Sequence, residues 1–398
     1  MTERNISTEL IHTGSGQDYK DIGKSASVPE TLPVYMTSVF AFDDVPSVDA
    51  IYEGEAEGYI YSRMKHPNTD AAGKIIAAAD GAEAGLVFSS GMAAITTSIL
   101  SVVSKGDHII SSPVLYGGVH DFLRSELARF GVDVTFADLI NDDIEQYIRP
   151  ETKLIYTETI CNPLMEVPDI KKIADTAKKN GLLFFIDNTF ATPAVARPAE
   201  LGADAVLYSA TKYLGGHSDI VAGAVSGSAE VVGRIRQKQV LYGCTLSAAD
   251  AWLLARSLRT LQLRMASHSS NALKVAEHLE KHPKVEKVFY PGLASSPDHD
   301  RAAQQFVSGR YGGMISVDIR GGEKEASAVI AALDWIKFVP SLAGTATTVS
   351  YAAKTSHRAY SAQERAAAGI TDGQLRFSIG LEEPEDIIAA IDRALEKI

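Results

Sequence analysis

Seven short apolar runs, at residues 86–88, 108–111, 132–136, 153–157, 182–186, 205–208 and 221–225, alternate with helical patterns along the middle of the chain. Runs of this length, bounded by turn formers and separated by helix-length segments, read as buried strands joined by crossover helices. A parallel strand needs such a crossover, so the pattern predicts one large, mostly parallel sheet covered on both faces by helices. One crossover has legible ends. Residues 169–180 follow Pro168, carry Ile170, Ile173, Ala174 and Ala177 at helical spacing, and stop at Gly181.

The flanks read differently. From Leu246 a long helical stretch, 248–281, leads into strand-like 287–290, 314–319 and 375–379 with helical 324–332 and 384–397, a smaller α/β layer. Residues 1–60 have weak periodicity and many turn formers. The expected division is therefore an N-terminal arm over 1–60, a ligand-binding domain over 61–247 and a C-terminal domain over 248–398. An arm that buries little by itself is expected to cross onto another subunit.

Charge and composition exclude other classes. A formal net charge of −12 argues against nucleic acid and anionic membranes, both of which select clustered Lys and Arg. No apolar run reaches membrane-spanning length, and the start of the chain lacks the apolar segment of a signal peptide. Cys161 and Cys244 stand far apart without CxxC partners, so neither a disulfide framework nor a cysteine metal site is expected. The expected setting is the cytoplasm. Gly23-Lys24-Ser25 ends like a phosphate loop, but Asp18 stands where that motif requires glycine. No GxGxxG opens a helix after a strand, and His278 and His282, beside Glu277 and Glu280, read as a solvated helix end. No metal site is expected.

Chemistry concentrates in the segment 209–217, SATKYLGGH, directly after the run 205–208. Lys212 would sit at the carboxyl end of a parallel strand, in the crevice where open α/β sheets bind ligands. Desolvation there lowers the pKa of an ammonium towards the neutral amine, the nucleophile that forms a Schiff base with a carbonyl. The neighbouring run 182–186 ends in Asp187-Asn188-Thr189, placing a carboxylate in the same row, where it could pair with a protonated ring nitrogen. Ser89-Ser90-Gly91-Met92 makes a strand-to-helix junction whose free N–H groups suit a phosphate. Each has a plainer reading when taken singly: a rim lysine, a helix N-cap, a tight helix contact. Together they point to a cofactor carrying an aldehyde, a ring nitrogen and a phosphate.

Lys212 in SATKYLGGHSD, Asp187 in IDNTF, the SSGMAAI segment, Tyr116 in LYGG, NPL after Glu158, YSR at Tyr61–Arg63, DAWLLARSLRTLQLRM and LRFSIGLE occur in one order along nearly the whole chain. This combination resembles the transsulfuration family of pyridoxal phosphate (PLP) enzymes, which includes cystathionine γ-synthase, cystathionine γ- and β-lyases, methionine γ-lyase and O-acetylhomoserine sulfhydrylase. The resemblance implies a fold-type I PLP-dependent enzyme. It implies that Lys212 holds the cofactor and shuttles the α-proton, that Asp187 pairs with the pyridinium, and that Tyr116 stacks on the ring and acts near the leaving group. Ser90, Gly91, Met92, Thr189, Ser209 and Thr211 would surround the cofactor, joined by Tyr61 and Arg63 from a neighbouring subunit. Asn162 would contact the cofactor's phenolic oxygen, and Arg376, with Ser341, would take the substrate carboxylate. The site would then require a dimer at least, and the family pairs dimers into tetramers.

The chain departs from the family's usual pattern at four places. His66-Pro67-Asn68 follows YSR in place of Asn-Pro-Thr. Gly118 stands where methionine γ-lyases have cysteine, and Lys238-Gln239 where they have Lys-Asp. Ala343, Ala346 and Tyr351 replace a glycine, a glutamate and a histidine, a change expected to reshape the distal end of the pocket. The activity expected on this basis is γ-elimination on a γ-substituted L-amino acid such as methionine, homocysteine or canavanine. The alternatives are γ-substitution, by O-acylhomoserine sulfhydrylase or cystathionine γ-synthase chemistry, and a non-catalytic cofactor-binding protein.

Overall fold

Each of the seven expected runs forms a strand in the computed structural model, which describes residues 5–13, 29–307, 309–355, 358, 361–367 and 369–398. The strands are β1 (Ala84–Phe88), β2 (His108–Ser111), β3 (Asp133–Phe136), β4 (Thr152–Glu158), β5 (Leu183–Asp187), β6 (Ala205–Tyr208) and β7 (Gly223–Gly227). They form one sheet in the order β1-β7-β6-β5-β4-β2-β3. β7 runs antiparallel to β1 and β6, and the remaining pairs are parallel. β7 begins two residues later than the apolar run, because Ala222 is already engaged elsewhere: its carbonyl accepts from the N–H of Thr211 at 3.0 Å and its N–H donates to the Thr211 hydroxyl at 2.9 Å. The expected crossover helix is Ile170–Lys179, with Asp169 as N-cap accepting from the N–H of Lys172 and its four apolar residues buried.

The helical stretch read as continuous over 248–281 is two helices, Ala248–Leu258 and Leu261–Leu279. No glycine or proline marks the break. Arg264 satisfies the carbonyl left at the end of the first helix, donating to Ser257 O at 2.9 Å, and also reaches Tyr213 O at 2.7 Å. Gly216 makes room for it, since a Cβ there would lie 2.0 Å from the Arg264 guanidinium. The signal for the break therefore lies in a distant loop.

The second sheet contains β8 (Val285–Phe289), β9 (Met314–Ile319), β10 (Lys337–Phe338), β11 (Thr348–Ser350) and β12 (Gln374–Ser378), in the order β10-β11-β12-β9-β8. β10 and β11 are two and three residues long, too short to show a period in the sequence. Helices Leu261–Leu279, Glu323–Ala332 and Pro384–Leu395 cover this sheet, burying Val275, Leu279, Val329, Ile387 and Ile391. Within helix Leu261–Leu279 the cores change over: Leu261 and Met265 pack with the large sheet, Ala272 and Val275 with the small one.

Of the segment expected as an arm, residues 1–4 and 14–28 lie outside the described residues, as does the rejected phosphate-loop match at 18–25. The part between Leu32 and Phe40 is fastened by named bonds. Trp252 donates to Leu32 O at 2.9 Å. Asn68 donates to Pro33 O and accepts from the N–H of Tyr35, both at 2.9 Å. Ser62 N–H donates to Ser38 O and Phe40 N–H to Ile60 O, so residues 38–40 pair with 60–62. Among the described residues no helix is long and apolar enough to cross a membrane.

Candidate active site

Parallel strands that end together put the residues after them into one crevice, and here β4, β5 and β6 end in Glu158, Asp187 and the Tyr208–Lys212 turn. The crevice is a cavity of about 270 Å³. It is lined by Ser90, Gly91 and Met92 at one end, by Glu158, Asp187, Thr189, Ser209, Thr211 and Lys212 along the strand ends, and by Tyr116, Asn162 and Arg376 on the open side. Of the residues expected at the site, twelve are thus brought to one place or its edge once Ser341 is counted: the Lys212 Nζ donates to Ser341 Oγ at 2.8 Å.

Burial in this crevice lowers the pKa of Lys212, and the positive charge of Arg376 adds to the effect, so the amine is neutral at a lower pH than an exposed lysine. Asp187 is pushed the other way, to about 6, chiefly by burial; the Thr189 N–H, donating to Asp187 Oδ1 at 2.8 Å, opposes the rise. A cationic ring nitrogen is the partner that would restore its charge. The Thr189 hydroxyl accepts from the N–H of Ser209 at 2.8 Å, tying the end of β5 to the loop that carries Lys212.

The cradle opposite is set by glycine. Helix Gly91–Leu100 starts directly behind β1, and Ser90 caps it by accepting from the N–H of Ala93 at 3.0 Å. The N–H groups of Gly91 and Met92 belong to the first turn, which has no helical acceptor for them, and they suit an anion. A Cβ at Gly91 would lie 2.7 Å from Ser209 Cβ and 2.8 Å from its hydroxyl. Only glycine lets the helix start approach Ser209 closely enough for both to face one phosphate. Donor set, amine, carboxylate and cradle fit a cofactor with an aldehyde, a ring nitrogen and a phosphate.

Arg376, on β12, reaches the cavity from the second sheet. It is 3% exposed, and burial lowers its pKa to about 10, with the Glu158 charge opposing. Its Nη1 donates to Asn162 Oδ1 and its Nε to Ser350 Oγ at 3.2 Å. The guanidinium fork is thus held flat and buried, ready for a carboxylate.

Tyr116 precedes helix Gly117–Asp121 and is 46% exposed at the cavity mouth. A Cβ at Gly118 would meet its ring at 2.8 Å, so this departure from the cysteine of methionine γ-lyases leaves the tyrosine ring its place. Tyr61 and Arg63 are not brought into this cavity by their own chain. Tyr61 is exposed, and Arg63 stacks on it while donating to Val240 O at 2.8 Å.

One expectation changes, and one residue joins the site. Tyr351 does not reshape the pocket: it is buried in the second core, with its hydroxyl on the Asp372 carbonyl, and Ala346 is exposed. Pro340 and Leu342 line the cavity from that segment instead. Glu158 was missed as a functional residue. It is 6% exposed, pairs in register with Asp187, and is pushed up to about 8 by burial and by the Asp187 charge. The signal was available, since Glu158 ends its apolar run as Asp187 ends the next.

The sequence profile of the family described as Cys/Met metabolism PLP-dependent enzyme matches residues 7–396. An L-methionine γ-lyase of Porphyromonas gingivalis is 41% identical over 370 residues, covering 92% of each chain. A cystathionine γ-lyase of Bacillus subtilis is 39% identical, covering 98% of this chain and 99% of its own. Among solved structures, the cystathionine γ-synthase of Xanthomonas oryzae pv. oryzae in complex with aminoacrylate and cysteine superposes with a TM-score of 0.92 at 34% identity, covering 100% of this chain and 99% of that one.

Proposed function

Because the chain belongs to the Cys/Met metabolism family of PLP-dependent enzymes, whose cofactor is pyridoxal phosphate, we propose that it catalyses γ-elimination on a short γ-substituted L-amino acid. One water is consumed, and a 2-oxo acid, ammonia and the protonated γ-substituent are released. The observation that carries the reading is the inventory of cavity charge. Among the described lining residues Lys212 and Arg376 are the cations and Glu158 and Asp187 the carboxylates. One guanidinium suits one carboxylate. A second amino-acid head group, as in cystathionine, would find no further cation among the described lining residues, whereas Met92, Ile95, Val221, Pro340 and Leu342 suit an apolar γ-substituent such as a thioether.

Bound pyridoxal phosphate supplies an electron sink for the carbanion left when the α-proton departs. Arg376 holds the substrate carboxylate, fixing the α-carbon near Lys212. Lys212 Nζ takes the α-proton, which its lowered pKa favours. Ser341 Oγ, accepting from that nitrogen, steadies it between transfers. Tyr116, at the mouth, protonates the leaving γ-substituent. Ser90, Gly91, Met92, Ser209 and Thr211 hold the phosphate, and Asp187 the ring nitrogen.

The reading includes a dimer at least, paired into a tetramer, in which Tyr61 and Arg63 complete the neighbour's phosphate site; their exposure on their own chain supports this. A cytoplasmic setting is part of the same reading. The test is a panel of γ-substituted amino acids with 2-oxo acid and ammonia both measured, with and without an added thiol. Stoichiometric 2-oxo acid and ammonia from methionine or homocysteine is expected. Turnover only with an O-acylhomoserine plus sulfide or cysteine would overturn γ-elimination in favour of γ-substitution.

A further inference from the structure

Glu158 makes no contact with a cation close enough to be an ion pair among the described residues, yet its carboxylate is buried at the centre of the site and both its oxygens are used. Oε1 accepts from the backbone N–H of Tyr116 at 2.7 Å, and Oε2 from the backbone N–H of Asn162 at 3.1 Å. These two residues come from different loops. Tyr116 follows β2 and starts a helix of only five residues, and it is half exposed, so its own surroundings fix it weakly. Asn162 follows β4 and in turn accepts from Arg376, which stands on the second sheet.

We propose that Glu158 is a positioning residue that clamps the leaving-group tyrosine and the carboxylate-binding asparagine–arginine pair into one frame. The two backbone N–H donors and the Arg376 charge favour the ionised form against burial and the Asp187 charge, and in that form Glu158 accepts at both oxygens. A glutamine accepts at one and turns an N–H₂ towards the other backbone N–H. Because Glu158 closes β4, beside Asp187 closing β5, the frame is referenced to the same strand ends that hold the cofactor. Four contributors, Tyr116, Glu158, Asn162 and Arg376, thereby span both sheets through one side chain. Each oxygen already accepts from a backbone N–H, and through these two bonds the residue acts on its neighbours. The inference rests on the function proposed above for Tyr116 and Arg376.

The test compares wild-type and Glu158→Gln holoenzymes. The variant is expected to bind one cofactor per chain and unfold within a few degrees of wild type. The visible circular dichroism of the bound cofactor, which reports the asymmetry of its contacts, should weaken. kcat should fall roughly ten-fold through Tyr116 and KM rise by a similar factor through Asn162 and Arg376, as expected for hydrogen bonds to a charged acceptor. Glu158→Asp, which keeps the charge but withdraws the acceptors, should move both constants the same way. Hydrogen exchange on the wild-type holoenzyme should show the Tyr116 and Asn162 amides protected. A folded Glu158→Gln with unchanged dichroism, kcat and KM would overturn the clamp, as would both amides exchanging at the rate of open loops. A wild type that turns over no substrate in the panel would instead sink the proposed function, while the dichroism and exchange still decide the clamp.

Discussion

Replacing Gly91 by alanine adds one methyl group at the closest approach in the site. The new Cβ would lie 2.7 Å from Ser209 Cβ, 2.8 Å from its hydroxyl and 2.9 Å from its Cα, well inside the 3.4 Å at which ordinary contact begins. Two of these atoms cannot swing away. Ser209 Cα is backbone, its N–H is bound to Thr189, and it stands directly after β6, whose neighbours on both sides fix it. The helix start must therefore move outwards, carrying the N–H groups of Gly91 and Met92 away from the phosphate. Inserting a methylene into a filled space costs about 1–3 kcal/mol. If that falls on the bound state, cofactor affinity drops roughly 5- to 150-fold, taking tenfold per 1.4 kcal/mol. Titration of apoprotein with pyridoxal phosphate, followed by visible absorbance, measures the change. Gly233→Ala is the control: it lies in the middle of helix Ala229–Tyr242, with nothing within 4 Å of its Cβ, and should leave affinity unchanged while stabilising the fold by up to about 1 kcal/mol. A Gly91→Ala protein that takes up cofactor within two-fold of wild type would show that the cradle is not where phosphate binds.

Other perturbations test separate parts of the site and its support. Arg376→Lys keeps the charge but loses the fork, and KM for the amino acid should rise roughly 10- to 100-fold with a smaller change in kcat; steady-state kinetics decides. Asn68→Ala removes both bonds that hold Pro33 and Tyr35, and should cost about 1–3 kcal/mol in unfolding free energy and speed cofactor release by freeing the 60–62 segment. Asp80 is fully buried, accepting from Tyr208 and Ser226, and burial raises its pKa to about 7. The native state then keeps a proton that the unfolded chain gives up near pH 4, so Asp80's contribution to stability falls as pH rises from about 4 to about 7. Melting temperatures of apo wild type and Asp80→Asn across pH 4–8 should diverge in slope over that window, the variant losing the Asp80 part of the dependence.

Lys212 and Asp187 were legible because a charged residue closing an apolar run has one place to go in a parallel sheet, the crevice past the strand ends. Gly91 was legible as a backbone donor at a helix start; the requirement for glycine there comes from Ser209, over a hundred residues away in sequence. Glu158 was passed over because it precedes a loop motif that drew attention to Asn162, although its position matches that of Asp187 in the next strand. The break between helices Ala248–Leu258 and Leu261–Leu279 was illegible for the same kind of reason, since Arg264 is satisfied by carbonyls from the Lys212 loop. His66-Pro67-Asn68, read as a departure near the site, is explained by packing: Asn68 is 1% exposed and serves residues 33–35. Tyr351 read as a pocket residue because it stands in place of the histidine of the family's usual pattern, but the side chain turns to the second core.

The amine stands on the large sheet and the guanidinium on the small one, so under the proposed function the reacting molecule would be gripped by two separately built layers. Selection can alter the second layer, around Pro340 and Leu342, without disturbing the phosphate cradle or the strand ends. Such an arrangement separates inheritance of chemistry from drift in appetite. It offers a physical reason why relatives sharing about two fifths of this sequence carry the names of different lyases.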